Sequence, residues 1–212
     1  MDQRIYTVIT GDVVNSAELE DYGTSLEKTF SQFEEDYYDK LPLKVDRYSG
    51  DQFQVVLEGY KLSLRASLYI YTKLYSLEVP VSVRMSISIG EIKDLPEGRV
   101  SMGEGEVFRL SGSNLDEMKK HQRMDFVGAG DITGQNAAKL LRGSMDLLSA
   151  ILMRLSPAQA EVIWYKLKGH TQKEIAGKTG RKQQSVSDIL IAGQWKNIKG
   201  FLETFEETFE NF

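Results

Sequence analysis

The segment Leu43-Lys-Val-Asp-Arg-Tyr-Ser-Gly-Asp-Gln-Phe-Gln-Val-Val-Leu57 decides the fold of the first half of the chain. Its two ends, Leu43–Tyr48 and Phe53–Leu57, are rich in the β-branched and aromatic residues that favour strands. Between them lies the short, polar, glycine-containing stretch Ser49-Gly50-Asp51-Gln52. Two such runs around a turn of this composition are typical of a β-hairpin. The sequence therefore predicts paired strands joined by a tight polar turn.

Alternating strand and helix patterns surround the hairpin. Apolar residues recur every three or four positions in the predicted helices. In chain order, the sequence predicts a strand over Arg4–Thr10, a helix over Leu19–Leu41, the two hairpin strands, a helix over Leu62–Leu77, a strand over Val81–Ile92, a helix over Val107–Lys120 and a strand over Met124–Val127. This order predicts a ferredoxin-like split βαβ arrangement with additions, in which an antiparallel sheet carries helices on one face.

The second part of the chain is predicted to be helical. Asp131–Leu155 has the period of one long helix, with Asp131 as a candidate N-cap, and we expect it to link two domains. The predicted division is residues 1–130 for the α+β domain, 131–154 for the linker helix and 155–212 for an all-α domain with an acidic tail. The predicted class is thus α+β followed by all-α.

Composition narrows the classes of function. The 212 residues include no cysteine, which excludes disulfides, thiol nucleophiles and Cys-based zinc sites. The two histidines are far apart, which disfavours a His-rich metal site. No apolar run is long enough to span a membrane, and Met1–Arg4 leads into a strand-like segment rather than an apolar signal core. We therefore expect a cytoplasmic protein without membrane contact.

Charge is divided unevenly along the chain. Residues 1–140 carry 16 Lys and Arg against 23 Asp and Glu, a net charge of −7, whereas residues 155–200 carry 8 against 3, a net charge of +5. Such asymmetry indicates that one part of a protein meets a polyanion. The basic segment is therefore a candidate nucleic-acid interface, with a solvated charged surface as the alternative.

The strongest motif lies in residues 155–192. Ser156 and Pro157 begin one helix, Thr171 caps a second, and Thr179-Gly180 forms the turn into a third over Lys182–Leu190. The pattern resembles the region-4-like helix-turn-helix of sigma factors in the elements Leu155-Ser156, Val162-Ile163, Gly169-His170-Thr171, Glu174-Ile175-Ala176, Gly180 and Ser185-Val186-Ser187. It departs from that pattern at Arg181 and Lys182, where an apolar residue and a helix-capping residue are usual.

This resemblance implies that the third helix enters the major groove of double-stranded DNA. Glutamine can pair with adenine, and lysine or arginine can contact guanine or phosphate. The DNA-binding residues predicted in this way are Thr171, Lys173, Lys178, Arg181, Lys182, Gln183, Gln184, Ser185 and Ser187, with Lys166, Lys168 and Lys196 as further phosphate contacts. A helical interaction domain that does not bind DNA is the alternative.

Two aspartates are candidate metal ligands in the first half. Asp12 follows the first strand, and Asp51 lies in the hairpin turn. Carboxylates on adjacent strands can share a divalent cation that also binds nucleotide phosphates, although both residues are also common turn formers. Their order and spacing resemble the palm-like catalytic domains of class III nucleotide cyclases and of GGDEF-type dinucleotide cyclases. Ile87-Ser-Ile-Gly90-Glu91 resembles the strand that follows in the class III enzymes.

The cyclase resemblance implies a nucleotide site at Asp12, Ser49, Gly50 and Asp51, in which Asp12 and Asp51 bind Mg²⁺ or Mn²⁺. The sequence departs from both families. Ser49 and Gln52 replace the Gly and Glu of GGDEF enzymes, and Phe108 and Gly112 stand where class III enzymes place Asn and Arg. Without these groups the developing phosphate charge loses preorganised partners. We therefore expect no catalytic residue and no required cofactor.

A cyclase-like palm followed by a sigma-region-4-like helix-turn-helix resembles the bacterial SatD family. The hypothesis is a homodimeric, DNA-binding transcriptional regulator whose palm senses a nucleotide effector or dimerises without catalysis. The Asp131–Leu155 helix would act as a lever or a dimer seam. The alternative is a metal-dependent nucleotidyl cyclase-like enzyme that uses Asp12 and Asp51. A protein-interaction module that binds neither ligand is a third interpretation.

Overall fold

The structure is a computed structural model that describes residues 4–92, 94–95, 98–128 and 135–208. Short 3₁₀ turns lie at Ser16–Glu18 and Val100–Met102. The elements are β1 (Ile5–Val13), α1 (Tyr22–Asp36), β2 (Asp46–Tyr48), β3 (Gln52–Glu58), α2 (Ser63–Tyr75), β4 (Val83–Glu91), α3 (Glu106–Glu117), β5 (Met124–Gly128), α4 (Gln135–Leu152), α5 (Pro157–Leu167), α6 (Gln172–Thr179), α7 (Gln183–Ala192) and α8 (Trp195–Thr208).

The strands form one five-stranded sheet in the order β2-β3-β1-β4-β5. β1 is antiparallel to both β3 and β4, and β2 is antiparallel to β3. The first four strands with α1 and α2 therefore have the predicted split βαβ order, and the α+β class is confirmed. β5 differs from the prediction of a fully antiparallel sheet because it pairs with β4 in parallel, after a crossover that contains α3.

Helices cover both faces of the sheet, which corrects the prediction of helices on one face. Side chains alternate along each strand, so Ile9 faces the core that also contains Phe30 and Leu64 of α1 and α2. The side chains of Tyr6 and Val8 point to the other face, where they pack with Val107 and Phe108. The period of α3 predicts a helix with one buried side, but a period does not reveal which face of the sheet that side covers.

The C-terminal helices begin where the sequence predicts. Ser156 and Thr171 each form a capping box, with Gln159 and Glu174 respectively, and Pro157 is the first residue of α5. The turn between α6 and α7 contains Gly180 at a positive φ of 66°. The caps and the turn are confirmed. The DNA-binding interpretation of these helices stays a prediction.

The C-terminal helices pack against the helices of the sheet. The ring centroids of Trp164 on α5 and Tyr69 on α2 lie 5.7 Å apart. Arg65 of α2 donates two hydrogen bonds to Glu206 of α8, at 2.7 and 3.0 Å. α8 is amphipathic, with Ile198, Leu202 and Phe205 buried on one side. It carries Glu203, Glu206 and Glu207 of the predicted acidic tail.

The predicted domain boundaries are not tested by this packing. The division into 1–130, 131–154 and 155–212 therefore stays a prediction, and the candidate N-cap Asp131 lies outside the described residues. In the described parts of the chain, no helix combines the length and the hydrophobicity of a bilayer-spanning segment.

Candidate functional site

The face of the sheet under α3 carries a continuous row of polar residues. The strand register places one polar residue from each strand next to the polar residue of its neighbour, across all five strands. All of them are buried. In sheet order the row consists of Asp46, Gln54, Thr10, Ser86 and Asp125. Because buried polar groups need hydrogen-bond partners, this row requires a polar cover.

α3 supplies part of that cover. Its Ser111 Oγ lies 2.6 Å from Thr10 Oγ1, and Asn114 Nδ2 donates to Ser86 Oγ at 3.0 Å. Within the row, Gln54 Nε2 donates to Thr10 Oγ1 at 2.9 Å. The centre of the polar face is therefore a connected hydrogen-bond network rather than an apolar core. Such networks fix side-chain positions but are costly when one member is removed.

Asp46 at one end of the row holds the segment that precedes α3. Its Oδ1 accepts from Arg99 Nη2 at 2.9 Å, and its Oδ2 accepts from the backbone N of Ser101 at 3.0 Å and from the Ser101 hydroxyl. Burial raises the pKa of Asp46, but the hydrogen bonds from Ser101 and Arg99 outweigh it, so the pKa lies below its ordinary value. We call these three residues the Asp46 latch.

A cleft of about 600 Å³ lies between the latched segment, the hairpin and the beginning of α3. Its floor includes Gln54, which is 6% exposed, and Oε1 of Gln54 accepts no hydrogen bond from the described residues. The lining consists of Tyr48, Gln54, Ser101, Gly103, Glu104, Gly105, Phe108, Arg109 and Gly112. The cleft therefore combines two aromatic rings, a buried amide and charged groups at its rim.

The glycines at the cleft have a structural cause. Gly105 precedes α3 with a φ of 125°, a conformation that favours glycine, and no side chain caps the helix. A Cβ on Gly103 would lie 2.3 Å from the ring of Phe108, so a side chain there would displace the ring. The first turn of α3 thus presents uncapped backbone N–H groups at the cleft, beside the exposed guanidinium of Arg109.

A second polar row borders the cleft, and it contains the predicted metal ligand Asp12. The register aligns Arg84, Asp12, Gln52 and Tyr48 across β4, β1, β3 and β2. Arg84 donates from Nε to Asp12 Oδ1 at 3.1 Å and from Nη2 to Oδ2 at 2.5 Å. Burial, followed by the charges of Asp116, Asp46 and Asp12, raises the pKa of Tyr48. Arg84 therefore neutralises the Asp12 carboxylate.

The predicted nucleotide residues lie at the hairpin turn beside the end of β1. The backbone N of Val13 donates to Asp51 O at 3.1 Å, and Ser16 Oγ donates to Asp51 Oδ2 at 3.0 Å. Ser49 and Gly50 both have positive φ, as a tight turn requires. The structure thus brings the hairpin turn and the end of β1 together. Each predicted carboxylate ligand already accepts a hydrogen bond, Asp12 from Arg84 and Asp51 from Ser16.

The donor set around Asp12 and Asp51 does not fit a divalent metal in this arrangement. Asp12 is paired with a guanidinium, and Asp51 accepts a bond from a hydroxyl. Among the residues that the structure describes, no cluster of three or more His, Asp or Glu side chains could hold a metal ion. The predicted Mg²⁺ or Mn²⁺ site at these two residues stays a prediction.

Most predicted DNA-binding side chains are exposed around the start of α7. These are Lys173, Lys178, Lys182, Gln183, Gln184 and Ser185, and Ser187 is half-buried. α7 begins at Gln183, directly after Lys182, which makes no side-chain cap. Lys182, Gln183, Gln184 and Ser185 therefore lie at the N-terminus of α7, whereas Lys173 and Lys178 lie on α6.

Four other predicted contacts are already engaged within the chain. Arg181 Nη1 lies 2.6 Å from Glu161 Oε2, and the Thr171 hydroxyl belongs to its capping box. Lys168 Nζ lies 2.6 Å from Asp36 Oδ2, and Lys166 Nζ donates to the carbonyl oxygen of His170 at 2.8 Å. The partners of Arg181 and Lys168 are distant in sequence, so helical spacing does not predict them, whereas Lys166 and Thr171 bond to residues within four positions.

Sequence reasoning missed most of the cleft. Gln54 is a polar residue inside an apolar strand, and Gly103-Glu104-Gly105 directly precedes a predicted helix, so both signals were present. Arg84 and Asp12 are 72 positions apart, and only the register of β1 and β4 brings them together. The latch from Asp46 to Arg99 depends in the same way on tertiary structure.

No protein-family model matches the chain, and no curated protein is significantly similar to it. Solved structures with some similarity include the adenylyl cyclase CyaB from P. aeruginosa, with 16% identity and a TM-score of 0.42 over 59% of this chain and 77% of that chain. The guanylyl cyclase Cya2 has 15% identity and a TM-score of 0.39 over 59% of this chain and 75% of that chain. Similarity at this level does not establish a shared activity.

Proposed function

We propose that the cleft at the start of α3 binds a nucleotide. The observation that carries this proposal is the joint presence on one cleft of uncapped helix N–H groups, the Arg109 guanidinium and the Gln54 amide, whose Oε1 accepts no hydrogen bond from the described residues. Pockets that bind small molecules typically combine apolar walls with a few such polar groups. A cleft of about 600 Å³ is of the right size for a nucleotide.

The phosphate end would bind at the N-terminus of α3. Backbone N–H groups and the positive end of the helix dipole favour an anion there. Arg109, whose Nη2 lies 3.9 Å from Glu106 Oε1, adds an exposed positive charge. Glu104 also lines the cleft and opposes an anion. Removal of the Glu104 charge should therefore strengthen phosphate binding, whereas removal of the Arg109 charge should weaken it. The proposal thus predicts opposite changes of affinity at two neighbouring residues.

The base end would lie between Tyr48 and Phe108. Both rings line the cleft, and aromatic rings bind the flat face of a base by stacking. Gln54 Oε1 would accept a hydrogen bond from an exocyclic amino group, because an amide oxygen is an acceptor and this one accepts no bond from the described residues. A base that presents an amino group is therefore preferred.

We propose binding without turnover, because Arg84 neutralises Asp12 and no described cluster completes a metal site. Calorimetric titration with ATP, GTP, CTP and UTP, each with and without Mn²⁺, followed by mass spectrometry of the mixture, tests this. Binding with unchanged nucleotide is the expected result. If none of the four nucleotides binds, the proposal is overturned.

The alternative, a metal-dependent nucleotidyl cyclase, predicts a different outcome of the same experiment. It predicts a cyclic product that is formed only with metal and is lost in both Asp12→Asn and Asp51→Asn. Such a product would show that the pair between Arg84 and Asp12 opens when substrate binds. It would replace the non-catalytic proposal.

DNA binding by α7 is the second candidate function. The observation that favours it is the exposed group of Lys182, Gln183 and Gln184 at the N-terminus of α7, within the basic segment. This is the part of a recognition helix that contacts base edges. Selection from random duplexes at about 50 and about 200 mM salt tests it. Failure to enrich a motif, together with binding that salt does not weaken, would reject it.

Two variants separate base reading from phosphate contact. Gln184→Ala should relax the preference at one base position, whereas Lys178→Ala should weaken binding to all duplexes alike. Gln184 Nε2 donates to Asp188 at 3.0 Å, so Asp188→Ala serves as the control for the loss of that bond alone. The same change of preference in Asp188→Ala would show that Gln184 does not read the base directly.

A further inference from the structure

The outer side of α4 carries an exposed apolar stripe. α4 buries Met145, Leu148 and Leu152 on its inner side. On the opposite side Leu140 is 75% exposed and Leu147 is 72% exposed. A Cβ on Gly143 would meet no atom within 4 Å, so the described residues do not cover this side at Gly143. Adjacent exposed apolar groups of this kind mark interaction surfaces.

The spacing of the stripe fits a helix pair. Leu140, Gly143, Leu147 and Ala150 follow one another at steps of three, four and three residues, the spacing of a seam between two helices. We propose that α4 pairs in an antiparallel manner with α4 of a second copy of this chain, around a two-fold axis between Gly143 and Ser144. This axis places Leu140 opposite the partner's Leu147, and Gly143 allows the two backbones to approach closely.

Charge complementarity favours the antiparallel direction. Lys139 and Asp146 are both exposed and lie on the same side of the stripe. With a rise of about 1.5 Å per residue, antiparallel pairing brings Lys139 within about 3 Å, measured along the axis, of the partner's Asp146. The two-fold axis forms this contact twice. In a parallel pair each of these residues would instead face the opposite flank of the partner helix, so Lys139 and the partner's Asp146 would not meet.

The Asp146 carboxylate also forms a hydrogen bond within the chain. Its Oδ1 accepts from Gln122 Nε2 at 2.7 Å, and this bond holds the side chain in place. A single helix pair is small compared with the roughly 1,600 Å² of standard interfaces. The dimer is therefore expected to be weak and to exchange with the monomer as the protein is diluted.

Sedimentation equilibrium of the full chain over a range of protein concentrations tests the apolar part of the interface. The expected result is a monomer–dimer equilibrium whose Kd rises about tenfold or more in Leu147→Glu, because a charge is then buried in the seam. Val79→Glu is the control, since Val79 is 60% exposed and lies outside α4. A wild-type chain that stays monomeric at every concentration, or equal effects of both variants, would overturn the proposal.

An exchange of the two charges tests the direction of the pairing, and it does so independently of Leu147→Glu. Lys139→Glu and Asp146→Lys should each raise the Kd about tenfold, because each places like charges together. The double variant Lys139→Glu/Asp146→Lys restores opposite charges and should regain dimer affinity close to that of the wild type. A double variant as weak as the single variants would contradict the antiparallel pairing.

Discussion

The two faces of the sheet are both buried, but they are built from different chemistry. The face under α1 and α2 is apolar, with Ile9, Phe53 and Ile87 fully buried in the main core. The face under α3 carries a row of polar residues whose centre is Thr10. An apolar face stabilises the fold through area and packing, whereas a polar face needs each group to be satisfied. The apolar face thus stabilises the fold by packing, and the candidate site lies on the opposite, polar face.

The largest expected effect is on the apolar face, where Phe53 fixes the packing. Its ring lies 4.9 Å from that of Phe30, and a Cβ on Gly11 would lie 2.3 Å from its Cζ. We expect Phe53→Ala to lower the free energy of unfolding by about 3–5 kcal/mol, because it removes a buried ring and leaves a cavity. Urea titration measures this. Phe53→Leu, which keeps most of the volume, should cost less than half as much.

The Asp46 latch should give the next largest effect, and its size should depend on pH. Asp46→Asn weakens charge-assisted bonds from Arg99 and Ser101, so we expect a loss of about 2 kcal/mol at pH 7. The pKa of Asp46 is lowered in the folded state. Its contribution is therefore complete above the unfolded value of about 3.9 and is lost as the pH falls through the lower folded pKa.

Unfolding of the wild type and of Asp46→Asn between pH 7 and acid pH tests the latch. The difference between the two proteins should shrink below about pH 4, while other carboxylates affect both proteins alike. A difference that stays constant with pH would show that the Asp46 charge does not stabilise the fold.

Thr10→Val should give a smaller loss, confined to the polar face. The substitution keeps the shape but leaves Gln54 Nε2 and Ser111 Oγ without their common partner. We expect a loss of about 1–2 kcal/mol, because Gln54 Nε2 then lacks a hydrogen bond, whereas Ser111 Oγ can still donate to the carbonyl oxygen of Ser86. Thr10→Ser keeps the hydroxyl and should recover most of the bond energy. Equal stability of Thr10→Val and the wild type would mean that the row does not depend on this connection.

The sequence predicts the local features well. Strand patterns, the Ser49–Gln52 turn and the caps at Ser156 and Thr171 depend on residues close together in the chain, and the structure has them. The missed helix α8 had a local signal too. Its buried residues Ile198, Leu202 and Phe205 follow a helical spacing, but the acidic composition of the segment obscured it.

Features that depend on register and on long-range pairing were not predictable. The face covered by α3, the pair between Arg84 and Asp12 and the Asp46 latch all join residues far apart in sequence. A one-residue shift in the register of β1 would exchange the two faces, so no local pattern determines which polar residues meet. The sequence therefore predicts a site at the hairpin turn, which stays a prediction, whereas the cleft is visible only in the tertiary structure.

Nucleotide affinity of two neighbouring variants tests the central claim most directly. By calorimetric titration with ATP and GTP, Arg109→Gln should weaken binding about tenfold, and Glu104→Gln should strengthen it severalfold. Both residues line the cleft, and Lys28→Gln, at an exposed site on α1, is the control that should change nothing. Opposite effects at Arg109 and Glu104 with unchanged Tm would support a phosphate at the start of α3. Affinities equal to that of the wild type in both variants would contradict it.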